Sequence, residues 1–239
     1  MPDHPLIDIV IPLYNEEKIL RSSVERLVGF LRDSIFPYKH VITLVNNASV
    51  DSSAAVAADL AKHFPQVRVL NLTQKGKGLA IRTAWSGSTG DVLSFMDTDL
   101  SSDLNSFLPL VDEIIVKGAD LAIGNRLGKS SQVFSKRFTR KAVSAVYNLM
   151  VRVLLDTTFD DHQCGFKAMK KESFLKIASR MQETGFLFDT ELLAVSVRQI
   201  FTIRSIDIIW RDTDESKVSL FGDSLKMFGD LFRLRKRLK

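Results

Sequence analysis

Val92-Leu93-Ser94-Phe95-Met96-Asp97-Thr98-Asp99 is an apolar run of strand formers that ends in two carboxylates two positions apart. Side chains two apart on a strand point the same way, so Asp97 and Asp99 can converge on one hard cation. Oxygen ligands with no nearby His or Cys suit magnesium or manganese better than zinc. A solvated strand end followed by a helix cap would look similar, so the acids must be weighed with their surroundings.

Other polar groups fall at matching places. Tyr14-Asn15-Glu16, Asn46-Asn47 and Asn125-Arg126 each follow an apolar run. Lys77 stands between Gly76 and Gly78 where a helical pattern opens, a setting that suits phosphate. Asp161 lies in a turn-rich segment and reads either as a general base or as a turn residue ordering the Cys164-Gly165 loop. The cluster Lys136, Arg137, Arg140 and Lys141 precedes an apolar helical stretch, and is either a phosphate grip or a solvated helix face.

The elements that must position these groups follow from the hydrophobic pattern. It predicts strands over 7–11, 41–45, 67–70, 92–96 and 119–123, alternating with helices over 16–31, 52–64, 78–86 and 104–117. Continuous apolar strands alternating with helices imply a mainly parallel sheet covered on both faces. Ligands of such sheets sit at the carboxyl ends of the strands, where the polar residues above fall. Further on, the pattern predicts helices over 171–180 and 188–199, a strand over 203–210 and an amphipathic helix over 218–239.

The chain has 239 residues, 45% of them hydrophobic, with a net charge of +5 and one cysteine. That is enough apolar content for a single α/β domain over 1–239, and no repeat or linker divides it. One cysteine cannot form an internal disulfide, which suits a reducing compartment. The positive charge suits anionic partners: phosphorylated substrates, a membrane surface or nucleic acid. Met1–Leu6 has no basic leader, and 142–155 is too short and too polar to span a bilayer.

Taken in order, these segments resemble family 2 glycosyltransferases of the GT-A fold, in the branch that makes polyprenyl-phosphate sugars. Ile11-Pro12-Leu13-Tyr14-Asn15-Glu16-Glu17 is similar to that family's opening nucleotide loop, and Gly76-Lys77-Gly78 to its glycine-lysine-glycine segment. Phe95-Met96-Asp97-Thr98-Asp99-Leu100-Ser101 is similar to its metal motif. Ile123-Gly124-Asn125-Arg126, Asp161-His162-Gln163-Cys164-Gly165-Phe166-Lys167, Phe188-Asp189-Thr190-Glu191-Leu192-Leu193, Trp210 and Ser216-Lys217 resemble segments of the branch. The chain departs at Asn46-Asn47-Ala48-Ser49-Val50-Asp51, where the family usually has two Asp, Gly, Ser and a later Asp, and at His162, where the branch usually has Thr.

The resemblance implies a Rossmann-like GT-A sandwich, with a nucleotide-sugar half over 1–127, an acceptor half over 128–217 and a membrane-surface helix over 218–239. It implies inverting transfer of a hexose, with UDP-glucose favoured over GDP-mannose, to a polyprenyl phosphate at the cytoplasmic face of a membrane. Asp97 and Asp99 would hold Mg2+ or Mn2+. Pro12, Tyr14, Glu16, Asn47, Lys77 and Asp97 would line the nucleotide-sugar site, and Arg126, Arg137, Arg140 and Lys217 would meet the acceptor phosphate. Asp99, Arg126 and Asp161 are the catalytic candidates, with Asp189 and Glu191 structural. The basic amphipathic end would lie in the lipid headgroups; self-association is left open, and nucleic acid is not expected. A dinucleotide-dependent oxidoreductase is disfavoured because Pro12-Leu13-Tyr14-Asn15-Glu16 stands where a Gly-x-Gly-x-x-Gly turn would be. A non-catalytic or altered-specificity relative that binds a membrane surface is the remaining alternative.

Overall fold

The computed structural model describes residues 4–34, 36–134, 138–211 and 222–238, with side chains described for all of these except 138–143 and 222–228. Arg137, Lys217 and Phe221, and the side chains of Arg140, Leu225, Lys226, Met227 and Phe228, therefore lie outside the described residues.

The first half follows the predicted alternation: β1 (Leu6–Leu13), α1 (Leu20–Asp33), β2 (Lys39–Asn47), α2 (Ser53–His63), β3 (Val67–Leu72), α3 (Lys77–Ser86), β4 (Val92–Met96), α4 (Phe107–Ile115) and β5 (Leu121–Asn125). Alternate residues of the strands feed two separate cores. Ile7, Ile9 and Ile11 of β1 pack with α1, α2 and α4, whereas Val10 packs with Val45, Leu93 and Phe95 against α3. That double coverage is why these strands read as unbroken apolar runs.

The second half holds β6 (Gln132–Phe134), α5 (Phe138–Leu155), β7 (Phe166–Lys170), α6 (Lys171–Ile177), α7 (Phe188–Arg198), β8 (Ile203–Asp207), β9 (Ile209–Arg211) and α8 (Gly222–Leu238). The main sheet runs β3-β2-β1-β4-β7-β5-β8, and β6 and β9 form a separate two-stranded ribbon. All pairs of the main sheet are parallel except those of β7, which is antiparallel to both β4 and β5. The chain leaves β1 toward β2 and returns on the other side to β4, so the switch point lies between β1 and β4, where such sheets hold ligands.

The structure departs from the sequence pattern at two strands and divides the apolar residues of the last helix. The sequence pattern missed β7, because Lys167 and Lys170 give it the look of a solvated segment although Lys167 is fully buried. The strand expected over 203–210 breaks at Ile208, which turns β9 away to pair with β6. The described apolar residues of the C-terminal helix divide: Leu231 and Leu234 are buried with Tyr147, Val151 and Leu155 of α5 and with Leu187 and Ala194, whereas Phe232 is exposed. Arg237 fastens the same helix by ion pairs to Glu183 and Glu191. No described helix is long and apolar enough to cross a membrane.

Candidate active site

Side chains braced against backbone shape the rim at the ends of β1 and β2. Asn15 takes a left-handed conformation (φ 55°); its N–H donates to Ser49 Oγ at 3.0 Å and its Oδ1 accepts from the Val50 N–H at 2.9 Å. The Glu16 N–H donates to Ser53 Oγ at 2.7 Å. Tyr14 carries the Lys75 ammonium 3.7 Å from its ring centroid, an arrangement favoured by the ring's negative face. The two amides in the departing segment are buried and used internally. Asn46 donates to Asn71 Oδ1 at 3.0 Å and accepts from the Ser49 N–H. Asn47 Oδ1 accepts from the Gly76 N–H at 2.7 Å. A carboxylate at 47 would accept that bond equally well, so Asn47 keeps the loop geometry without the charge.

The acid pair stands at the end of β4. Thr98 Oγ1 donates to the Pro12 carbonyl at 2.9 Å, tying this turn to the end of β1. Leu100, also left-handed (φ 48°), donates its N–H back to the Asp97 carbonyl at 3.0 Å. Asp99 Oδ1 accepts from the Ser101 N–H at 3.0 Å. Asp97 Oδ1 takes the Lys77 ammonium at 2.8 Å, and 46% of the Asp97 side chain remains accessible. A Cβ on Gly165 would stand 2.0 Å from Asp97 Oδ2, so only glycine lets the loop before β7 back against this carboxylate. Asp97 is thus half-exposed, with protein packed close around the rest of its carboxylate. Desolvation by the surrounding protein, with Asp99 and Asp189 near, raises its proton affinity while Lys77 opposes the shift.

Behind the acids runs a chain of alternating charge. Lys77 also reaches Asp189 Oδ2 at 3.4 Å, and Asp189 Oδ1 takes Lys167 at 2.6 Å. Lys167 is fully buried and donates to the carbonyls of His162 and Cys164 as well, at 3.1 and 2.7 Å. Burial disfavours the charge on Lys77, but Asp189 and Asp97 outweigh it and hold the ammonium protonated. The glycines beside Lys77 are packing requirements. A Cβ on Gly76 would meet the Thr184 carbonyl at 2.5 Å, and one on Gly78 would meet Phe188 Cβ at 2.5 Å.

At the end of β5, Arg126 is paired bidentately with Asp161, Nε to Oδ2 at 2.7 Å and Nη2 to Oδ1 at 2.8 Å. The N–H groups of Arg126 and Gln163 donate to the same carboxylate. Burial would raise the acid's pKa, but the guanidinium overrides it and holds Asp161 down to about 2. The Arg126 guanidinium lies 5.6 Å from the Trp210 ring. His162 next door is buried; its Nδ1 meets Asn148 Oδ1 at 2.9 Å and its Nε2 meets Thr157 Oγ1 at 2.6 Å. Since Oδ1 can only accept, Nδ1 carries a proton, and with the pKa lowered the ring is neutral near pH 7 and Nε2 accepts from Thr157. Burial and the Lys167 charge lower its pKa to about 4.

The structure therefore brings Pro12, Tyr14, Glu16, Asn47, Lys77, Asp97 and Asp99 to adjoining strand ends and loops of one rim. The Asp161 reading shifts. A buried carboxylate with four donors and a pKa near 2 is a poor proton acceptor, and the turn-ordering alternative is the one this geometry favours. Lys167 and Lys75 went unrecognised in the sequence. Lys167 gave a faint signal, since it alternates with the apolar Phe166 and Ala168; Lys75 gave none. Among the described residues no three His, Cys, Asp or Glu side chains converge on a metal position. Magnesium commonly takes one or two carboxylates and completes its shell with water and substrate phosphate, and the Asp97–Asp99 pair fits that pattern.

Known proteins bear on this arrangement. Glycosyltransferase AglD of Haloferax volcanii is 29% identical over 95% of this chain and 36% of its own length. The dolichyl-phosphate beta-glucosyltransferase of Saccharomyces cerevisiae is 27% identical over 96% of this chain and 74% of its own. The chain thus spans about a third of AglD and three quarters of the yeast enzyme. Glucosyl-3-phosphoglycerate synthase from Mycobacterium tuberculosis, in complex with UDP, superimposes with a TM-score of 0.70 over 97% of this chain and 80% of its own, at 18% identity. A crystal of the same enzyme with Mn2+ and UDP-glucose gives 0.64 at 17% identity. These two structures share the α/β fold with its mostly parallel central sheet. The sequence model described as Glycosyl transferase family 2 matches residues 8–178, well over half of the chain, and on that match the chain belongs to this family of glycosyltransferases.

Proposed function

We propose that this enzyme moves a hexose from a nucleotide diphosphate sugar to a polyprenyl phosphate, inverting the anomeric carbon, with UDP-glucose preferred to GDP-mannose. The observation that carries this reading is the half-open Asp97 carboxylate at the β1/β4 switch point, with Asp99 two residues on and Lys77 behind it. The names of the relatives that span nearly the whole chain support the lipid-phosphate acceptor and the glucosyl donor.

The pieces divide the work as follows. Asp97 and Asp99 would hold Mg2+ or Mn2+, which when bound supplies Lewis-acid neutralisation of the leaving diphosphate. Tyr14 with Lys75, the backbone of Pro12 to Glu16 and the Asn47–Gly76 link would shape the nucleoside end. An acceptor phosphate is largely dianionic near neutrality, its second pKa being about 6 by analogy with phosphorylated side chains, so it needs no general base. Asp161 then serves to aim Arg126, whose planar fork and charge suit the acceptor phosphate. Arg137, Arg140 and Lys217 remain proposed phosphate contacts on sequence grounds.

A polyprenyl phosphate stays in its bilayer, so the enzyme must come to the membrane, and we place it peripherally on the cytoplasmic face. The described part of α8 turns its leucines inward, but Phe232 is 55% exposed and Arg233 and Lys236 face outward with it. On α5, Val146, Leu149 and Val153 are exposed at spacings of three and four, forming one stripe opposite the buried Tyr147, Val151 and Leu155. These two outward faces are the proposed lipid contact. The test of the whole reading is incubation with a panel of nucleotide sugars and a short polyprenyl phosphate, followed by mass spectrometry. A glucosylated lipid formed from UDP-glucose is expected; product from GDP-mannose alone, or no lipid product from any donor, overturns the donor or the acceptor respectively.

A further inference from the structure

The Lys77 ammonium occupies the same carboxylate that a divalent cation would use. The lysine is only 14% exposed and shared with the buried Asp189, while Asp97 is 46% exposed. Its second acceptor, Asp189, is fixed: 3% exposed, and held on its other oxygen by the immobile Lys167. The backbone at Lys77 is fixed as well. The Leu79 N–H donates to the Thr184 carbonyl at 3.1 Å, and Gly76 and Gly78 lie against the loop before α7. What can move is the lysine's four-carbon stem, swinging between two carboxylates at 2.8 and 3.4 Å.

We propose that Lys77 is the resident counter-ion of Asp97 before the donor binds, and that Asp189 is the berth to which it withdraws when a divalent cation takes Asp97. Lys77 and the cation then compete for one carboxylate, and Asp189 is the positioning residue that sets the balance. The charges are consistent with this. Asp97, Lys77, Asp189 and Lys167 alternate and sum to zero, so Asp97 is neutralised at rest. A cation arriving at Asp97 and Asp99 displaces a single positive charge by a short distance, with Asp189 already aligned to receive it. The arrangement also means that a metal ion without its nucleotide meets an occupied site. Diphosphate brings the negative charge that tips the exchange and gives the displaced ammonium a further partner. The inference rests on the reading of Asp97 and Asp99 as the cation's ligands.

The experiment measures Mn2+ binding to the full chain without nucleotide, by electron paramagnetic resonance of the free ion, and UDP binding by calorimetry in saturating Mn2+. Removing a competing unit charge a few ångströms away makes Lys77→Met bind Mn2+ alone at least about tenfold tighter, while its UDP affinity falls. Asp189→Asn removes the berth, leaves Lys77 on Asp97 and weakens Mn2+ binding by about threefold or more. In the Lys77→Met background the Asp189→Asn effect disappears, which a merely structural role for Asp189 would not produce. Lys77→Gln serves as a second variant, and thermal melting with the metal-free chains checks that each is folded. Unchanged or weaker Mn2+ binding in folded Lys77→Met and Lys77→Gln overturns the competition, provided Asp97→Asn abolishes binding. Binding that survives both Asp97→Asn and Asp99→Asn overturns the competition and the metal assignment together.

Discussion

The turn after β4 and the loop before β7 each carry an acid that sequence reasoning marks for chemistry, and the fold treats them in opposite ways. Asp97 stays half-open, shares one lysine with Asp189 and is pushed toward protonation by burial and by Asp99. Asp161 is sealed, receives four hydrogen bonds from Arg126 and Gln163, and is held at about 2. Both sit in polar, turn-forming segments next to a β-strand. An acid is available for catalysis where its donors are few and its open face meets the cleft, and it becomes scaffold where its donors saturate it. The loop that leads into β7, which pairs antiparallel with both β4 and β5, sets Asp161 against Arg126 at the end of β5, while Gly165 of that same loop leaves room for the Asp97 carboxylate.

Substitution separates the two acids most sharply. Asp99→Asn, and to a similar degree Asp97→Asn, is expected to lower kcat by about a thousandfold, the scale seen when a group stabilising transition-state charge is removed, with little change in melting temperature. EDTA is expected to do the same to the wild type. Asp161→Asn should reverse the pattern. Breaking a buried pair leaves Arg126 uncompensated and costs about 3 kcal/mol of stability, read in urea denaturation, while Mn2+ and UDP affinities hold. If folded, UDP-binding Asp161→Asn loses kcat at saturating acceptor with no rise in acceptor KM, the general-base reading returns, because loss of Arg126's aim would instead raise that KM.

A pH titration sharpens the comparison, because the scaffold side contains a second group with a depressed pKa. His162 titrates at about 4 when folded and about 6.5 when unfolded. Between those values the unfolded chain binds more protons, so stability falls as pH drops from 6.5 toward 4. The full loss is about 3 kcal/mol, from roughly 2.5 pKa units at 1.36 kcal/mol each. Asp161 acts in a lower window: its contribution is present above pH 4 and lost as pH falls through about 2. His162→Gln should therefore flatten the slope between pH 4 and 6.5 and leave the decline below pH 4 in place. Urea midpoints at pH 4.5 and 7 decide it, and an unaltered slope would show that His162 is not the buried neutral group described.

The sequence disclosed the nucleotide side well and the acceptor side poorly, for physical reasons. Strands covered on both faces leave an unmistakable apolar run, so β1, β2 and β4 were placed to within a few residues, and with them the rim that carries Tyr14, Asn47, Asp97 and Asp99. Helix α1 begins at Leu20 rather than Glu16, because Asn15 is left-handed and Glu16 is spent on the turn before it. Lys167 shows the limit. A lysine in a strand pattern reads as solvent-facing, and only the tertiary placement of Asp189 and two carbonyls makes its burial tolerable. The C-terminal helix is legible only in part. Its apolar stripe is real, but the pattern cannot tell protein from lipid, and Leu231 and Leu234 went to protein.

That ambiguity gives a weaker but direct test. Deleting 231–239 would strip Leu231, Leu234 and Arg237 from the core, so surface substitution on α5 is the cleaner probe. Val146→Ser, Leu149→Ser and Val153→Ser combined should reduce partition onto anionic liposomes by about tenfold, as expected for partial loss of buried apolar area. Melting temperature and UDP affinity should be unchanged. Undiminished flotation of the triple variant would move the contact to Phe232 and its basic neighbours.

The smallest expected effect lies on the nucleotide side and concerns strain rather than charge. Ala48 follows the Asn46-Asn47 pair in a left-handed conformation, with φ 56°, where the resemblance leads one to expect glycine. An L-residue there is disfavoured by about 1–2 kcal/mol, because Cβ crowds the following carbonyl. Glycine removes that clash but enlarges the unfolded ensemble, which returns about 0.5–1 kcal/mol. The net expectation for Ala48→Gly is a gain of roughly 0.5–1 kcal/mol, seen as a higher urea midpoint at constant slope. The loop is pinned on both sides, by Asn46 Oδ1 to the Ser49 N–H and by Asn47 Oδ1 to the Gly76 N–H, so the substitution should leave UDP affinity in place. A lower midpoint would mean that the Ala48 methyl packs more favourably than its backbone is strained. The β2 turn would then be held by burial, as the Asp161 loop is, and the contrast between an open, strained rim and a sealed scaffold would no longer include it.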